Sequence, residues 1–203
     1  MVLSLSTRVD NLVRMSESST QTESEQTAGR ESTDFRPGFV FRPGPTPAPE
    51  AEEREARMAA MGIPEEYRKW YGVHGVPPLS AKLGMVFEHM SPDKLVATMP
   101  VGSNEQNIGI LHGGAHLALA ETMGSLATLL HIRANLDDME RVAVGIELNA
   151  THHRQIREGL VRATCTPVNL GRQLASHEIV MRDESHRRLS TARMTNMIIH
   201  PRR

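Results

Sequence analysis

The chain has 203 residues and a formal net charge of −1. That is enough for one ordinary domain with chain to spare, without the basic excess that nucleic-acid binding demands. A single cysteine, Cys165, excludes an intrachain disulfide and points to a reducing compartment, the cytoplasm.

The N-terminal stretch MVLSLSTRVDNLVRM has no apolar core of the length a signal peptide needs. Residues 1–50 are rich in Ser, Thr, Glu, Gly and Pro, as in SESSTQTESEQTAGREST and FRPGFVFRPGPTPAPE. Without a sustained apolar period such a segment cannot offset its ordering entropy, so a disordered tail is expected. The FRPG repeat inside it reads either as a docking element or as plain linker. Residues 51–78 form a helical lead-in: AEEREARMAAMG has a helical pattern, stopped by Gly62-Ile63-Pro64. PEEYRKWYGV adds a turn, and Pro77-Pro78 breaks the chain.

Residues 79–203 alternate strands with one helix. Leu83, Met85 and Phe87 alternate with polar or small neighbours, Ser91-Pro92-Asp93-Lys94 turns, and Leu95, Ala97, Met99 and Val101 return, which predicts a hairpin. A loop carrying Asn104, Gln106, Asn107 and Gly109 leads into LHGGAHLALAETMGSLATLLH, Leu111 to His131, apolar on nearly all sides. Its histidines, Glu121, Ser125 and threonines argue against a membrane span. Val142, Val144, Ile146 and Leu148 then alternate as a strand with one buried face. LVRATCTPV, LASHEIVMRD and RLSTARMTNMII supply three more, joined by short turns that imply an antiparallel sheet. A helix apolar all round has to be wrapped. The expected architecture is therefore α+β, with a curved antiparallel sheet around one long central helix.

Glu121 is the lone acid of that helix. Burying an ionised carboxylate costs several kcal/mol, so one placed there is usually used; the bland alternative is a Glu satisfied by a backbone or Arg partner. Gly113 and Gly114 leave bare N–H groups at the helix start, where positive potential collects. A carboxylate and an anion-stabilising helix end are the parts of an acyl-transfer site. Glu121 and Gly113, however, lie roughly 12 Å apart along the helix axis, too far to share one carbonyl. Two antiparallel helices of a symmetric dimer would bring one chain's helix start beside the other's Glu121. His112 and His116, one turn apart, present two metal ligands on a face, but no third has matching spacing, so no metal is expected. Ser125 lies in MGSLA, outside a G-x-S-x-G elbow. His152, His153, Arg154, Arg157 and Arg172 cluster at strand ends and turns, as suits a phosphate-bearing ligand; for Arg157 solvated surface is an equal reading.

Gln106-x-x-Gly109-x-x-His112-Gly113-Gly114, Leu119-Ala120-Glu121-x-x-Gly124-Ser125, Val144 to Ala150, and Pro167-Val168-Asn169-Leu170-Gly171-Arg172 together resemble the hot-dog-fold acyl-CoA thioesterases over residues 80–199. Within them the pattern is similar to the branch of the 1,4-dihydroxy-2-naphthoyl-CoA, 4-hydroxybenzoyl-CoA and phenylacetate-pathway enzymes. The resemblance implies a hot-dog fold, hydrolysis of an aromatic or medium-chain acyl-CoA, no cofactor beyond the CoA of the substrate, and dimers often paired into tetramers. It implies Glu121 as nucleophile or general base and the Gly113 N–H as oxyanion donor. Gln106 and His112 would orient the thioester, and Ser125 would hold the water or carboxylate. CoA contacts would come from Gly145, from His152, His153, Arg154 and Gln155, and from Asn169, Leu170, Gly171, Arg172 and Gln173. A non-catalytic acyl-CoA-binding protein on the same fold is the rival. His116, His153 and Gln155 depart from the family pattern.

Overall fold

The computed structural model describes residues 47–201. All but the last four residues of the expected tail, and the FRPG repeat with them, lie outside the described residues. The elements are α1 (Ala51–Ala60), α2 (Glu65–Arg68), α3 (Pro78–Lys82), β1 (Val86–Ser91), β2 (Lys94–Pro100), α4 (Gly113–Ala134), β3 (Val142–His152), β4 (Leu160–Leu170), β5 (Leu174–Arg182) and β6 (Arg188–Ile199). The six strands make one sheet in the order β1-β2-β4-β5-β6-β3, every neighbouring pair antiparallel. Helix α4 packs against all six strands, as the expected hot-dog architecture requires.

Strand alternation accounts for most of the core. On β5, Ala175, His177, Ile179 and Met181 point inward; opposite them β4 contributes Ala163 and Cys165. The lead-in shares this core: Met58, Met61, Ile63 and Val76 are buried in the same cluster as Leu119 and Met123 of α4. Gly62 makes the junction possible. It has φ +74°, and a Cβ there would run into the Phe87 carbonyl of β1.

Three expectations need correction. Pro77-Pro78 does not merely break the chain: Pro78 opens the one-turn helix α3, because proline's missing N–H costs nothing at a first helical position. On β3 the predicted buried face does not run through. A bulge at Ile146 puts two residues against one on β6, which reverses the alternation. Ile146 is 51% exposed, while Leu148 still packs on the core. The third concerns Glu121. The helix is not wrapped on every side, and Glu121 is exposed. The sheet leaves Gly114, Leu117, Ala118, Glu121 and Ser125 as an uncovered or half-covered stripe along α4.

Candidate active site at the start of the long helix

The start of α4 is held in place from several directions. Asn104, 7% exposed, donates from Nδ2 to the carbonyls of Leu83 and Pro100, both at 2.9 Å. Its own carbonyl accepts the His112 N–H, and Ile156 accepts the Leu111 N–H. Chain entering the helix is thus tied both to the β1–β2 hairpin and to the segment after β3. His112 is the N-cap, its Nδ1 accepting the Gly114 N–H at 2.8 Å, which satisfies one of the helix's unpaired donors. Gly113 is the first helical residue, so its N–H has no partner within the helix.

The His152 ring lies directly over Gly113. Its Nε2 would be 3.0 Å from a Cβ built on that glycine. Its other nitrogen, Nδ1, is 3.1 Å from Ser190 Oγ across the β3–β6 pair. Beneath, His116 is 4% exposed, with Nδ1 3.0 Å from Met181 Sδ and its ring centroid 5.1 Å from that of His152. Burial, and secondarily the nearby His152, push His116 down to about 4. His112 and His116 are therefore each engaged separately, and among the described residues no three metal-binding side chains converge.

Two turns further along α4, the Glu121 carboxylate has no hydrogen bond or ion pair among the described residues. Within the single chain Glu121 is thus not a buried glutamate satisfied by a backbone or Arg partner. Ser125 donates from Oγ to Asn196 Oδ1 at 3.4 Å, and Asn196 Nδ2 reaches the Gly124 carbonyl at 3.2 Å. On the other flank Thr122 Oγ1 is 3.2 Å from Ser80 Oγ of α3. Gln106 sits half-buried in the loop before α4, in a turn closed by its own N–H to Ile110 and its carbonyl to Gly109. Arg157 clamps that loop, donating from Nη1 to the carbonyls of Ile108 and Gly109 at 3.1 and 3.3 Å. Arg157 is thus more than solvated surface.

The remaining residues separate into two groups. His153, Arg154 and Gln155 follow His152 along an exposed run, with His153 Nε2 3.0 Å from Thr191 Oγ1 and Arg154 Nη1 3.4 Å from the Arg188 carbonyl. Asn169, Gly171, Arg172 and Gln173 line an open surface cavity of about 550 Å³ with Leu174 and Arg141. Leu170 instead packs against the small second core of Ile132, Ala175 and Ile198. Gly145 faces Met194, whose Cε would clash with any Cβ there. Arg141 escaped the sequence reading. It donates from Nη1 to the Arg172 carbonyl at 2.9 Å and pairs through Nε with Asp138 at 2.7 Å. Asp138 also accepts the N–H of Glu140 and Arg141, and these hydrogen bonds from Arg141 first of all hold its carboxyl well below the usual range. Only its place in the loop before β3 could have singled Arg141 out, because the cavity forms from segments 30 residues apart.

The single chain therefore brings His112, Gly113, His116 and His152 together, and leaves Glu121 apart from them. Comparison with known proteins agrees with the fold. Residues 108–190 match the family model described as Thioesterase superfamily. The proofreading thioesterase EntH of Cronobacter sakazakii is 45% identical over 118 residues, 58% of this chain and 82% of that protein. A thioesterase structure from Haemophilus influenzae has a TM-score of 0.56 at 37% identity, covering 60% of this chain and 82% of that one. One from Pseudomonas aeruginosa has a TM-score of 0.58 at 28% identity, covering 76% and 96%. With the sheet, the helix and these relatives in accord, the chain belongs to the thioesterase superfamily as a hot-dog-fold thioester hydrolase.

Proposed function

We propose that the protein hydrolyses an acyl-CoA thioester with an aromatic or medium-chain acyl group, as in the aryl-CoA branch it resembles, and that each active site is built from two chains. The observation that carries this is the position of Glu121: unpartnered, on an open stripe of α4, about two turns from the helix end that would stabilise an oxyanion. The opposite sheet edge supports the second chain. β3 is eleven residues long and among the described residues pairs only with β6, and such an edge is a template for another strand. Joining two β3 edges antiparallel sets two α4 helices side by side in opposite directions. Glu121 then faces Gly113 of the partner subunit. Dimers of this kind pair further into tetramers.

In the reaction, the Glu121 carboxylate either attacks the thioester carbonyl and expels CoA thiolate, giving an anhydride that water opens, or takes a proton from a water whose attack breaks the C–S bond; in either case the departing thiolate takes up a proton and the free acid remains. The carbonyl oxygen gains negative charge and is met by the Gly113 N–H at the positive helix end, a donor of a kind worth about 3–4 kcal/mol. Ser125 spends its proton on Asn196 Oδ1, which leaves its oxygen lone pairs free for a water. Gln106 and His112 orient the thioester. His152, lying over Gly113, faces the reacting end of the ligand rather than the nucleotide end. His153, Arg154, Gln155 and Gly145 border the path of CoA, and the cavity of Asn169, Leu170, Gly171, Arg172 and Gln173 takes its phosphates. No metal or further cofactor takes part, and the protein works in the cytoplasm.

A panel of aryl- and alkanoyl-CoAs, with the same acyl groups on a carrier protein, defines the substrate. On the best of these, Glu121→Gln is expected to lose about three orders of magnitude in kcat. Near-normal turnover by that variant would remove Glu121 from the mechanism, and binding without cleavage by the wild type would make the protein an acyl-CoA-binding one.

A further inference from the structure

Helix α4 carries at position 116 a histidine that the function above does not use. It projects into the interior, at 4% exposure, against β5 and β3. Its polar edge is committed. Nδ1 lies 3.0 Å from Met181 Sδ, and a thioether has no proton to give, so the nitrogen is the donor. The ring is held in one orientation and, at neutral pH, without charge.

The contacts of His152 define a matching constraint. Ser190 Oγ is 3.2 Å from the Thr151 carbonyl, which can only accept. The single hydroxyl proton of Ser190 therefore goes to Thr151, and His152 Nδ1, 3.1 Å from the same Oγ, has to donate. In the neutral ring Nε2 is left bare, and Nε2 is the atom over Gly113. Ser190 fixes one edge of His152, but a single hydrogen bond lets an exposed ring at a strand end swing about that edge. The ring of His116, at a centroid distance of 5.1 Å and tilted by 36°, closes off that motion from below.

We propose that His116 is a positioning residue for the active site: it backs the ring of His152 and so keeps the bare Nε2 aimed across Gly113, where the thioester must lie. This rests on the placement of the thioester at Gly113. The glycine gains a second reason, since any side chain at 113 would displace the ring that His116 supports. Nε2 held there accepts a hydrogen bond from a water or from an amide of the pantetheine arm. The requirement on residue 116 is a flat ring of the right size, and its nitrogen serves only to anchor that ring to Met181.

The test uses the full-length oligomer with benzoyl-CoA as probe, and histidine side-chain nitrogens labelled for NMR. His116→Ser removes the ring; kcat is expected to fall about tenfold to a hundredfold with KM changed by no more than about twofold. His116→Phe keeps the flat face and should recover most of kcat. In the wild type and His116→Phe, His152 should show the Nδ1–H tautomer, and in His116→Ser a signal averaged between tautomers. Wild-type kcat in a folded His116→Ser, an unchanged His152 signal there, or a folded His116→Phe as poor as the serine variant would each overturn the proposal. If His116→Ser does not fold, the phenylalanine variant and its His152 signal decide alone. Activity in Glu121→Gln would instead overturn the site itself, and the tautomer comparison, which needs no turnover, would still decide His116.

Discussion

His177 carries both ring nitrogens into the interior, at 0% exposure, with no hydrogen-bond partner for either among the described residues. Such a group is expensive when neutral and worse when charged. Burial, with the neighbouring His131 as a smaller cause, pushes it down from 6.5 to about 4. His116 is lowered to about the same value. A lowered histidine binds protons more readily in the unfolded chain, so its contribution to stability is complete above about pH 6.5 and lost as pH falls towards 4. Each histidine contributes on the order of 3 kcal/mol at most to that loss. Denaturant midpoints measured between pH 7 and pH 4.5 should fall steeply. His177→Leu should flatten part of the fall and raise stability at pH 7 by about 1 kcal/mol, because it removes an unsatisfied polar group; a steeper fall in that variant would contradict this account. Glu121 and Gly113 stood out in the sequence because each breaks a local pattern. His177 did not: it shares the inward alternation of Ala175, Ile179 and Met181, but a lone histidine in a strand breaks no pattern strongly enough to draw notice.

Met194 of β6 lies between two glycines, and this explains how closely α4 approaches the sheet. A Cβ on Gly124 would come within 2.6 Å of its Cγ and 2.7 Å of its Cβ, and one on Gly145 within 2.5 Å of its Cε. The first clash is with the root of the side chain and cannot be relieved by rotating its tip, so Gly124→Ala should cost about 1–3 kcal/mol. Thermal melting of Gly124→Ala, Met194→Ala and the double variant checks it. The two substitutions should couple in part, because Met194→Ala removes the Cγ but keeps the Cβ that a Gly124 side chain would also meet, and fully additive costs would show that the Cγ contact is not the cause. Gly145→Ala meets only the flexible methyl end and should be mild. At the level of elements the helix and four of the six strands could be read with nearly correct limits, because period and turn residues agree along most of the chain; β1 starts only at Val86, because Leu83 and Gly84 still turn out of α3. The bulge at Ile146 could not: an extra residue in a strand leaves composition unchanged while reversing which side faces in. Helix α3 was hidden for a similar reason, since Pro77-Pro78 reads equally as a stop or as a helix start.

Among the described residues the chain presents an unpaired strand edge and a half-covered helix stripe, and the proposed shared site would cover both. Ile146→Lys places a charge on the β3 edge and should yield monomers with little activity, measured by light scattering alongside turnover. A mixed assembly gives the sharper result. Combining Glu121→Gln subunits with subunits blocked by Gly113→Val should restore about a quarter of the wild-type rate, since half of randomly paired dimers are mixed and one of their two sites is intact. No recovery on mixing would confine the site to one chain. The proposed need for a partner rests on helix geometry, through the length of helix between Gly113 and Glu121. The exposure of Glu121 in the single chain was not legible in the sequence, because an apolar helix reads the same whether its own sheet or a second chain covers it.

The lead-in also fixes what light can report. The chain has one tryptophan and two tyrosines; Tyr67 lies in α2 and Trp70 and Tyr71 just after it, with Trp70 stacked on Tyr67 at 5.0 Å. Intrinsic emission is therefore blind to the sheet except through the docking of this one segment, whereas far-ultraviolet dichroism is dominated by the strands and α4. Because Met58 and Ile63 share a core with Leu119 and Met123, the two signals should change together on heating. A fluorescence transition that ran ahead of the dichroism would mark the segment as a latch that opens before the rest.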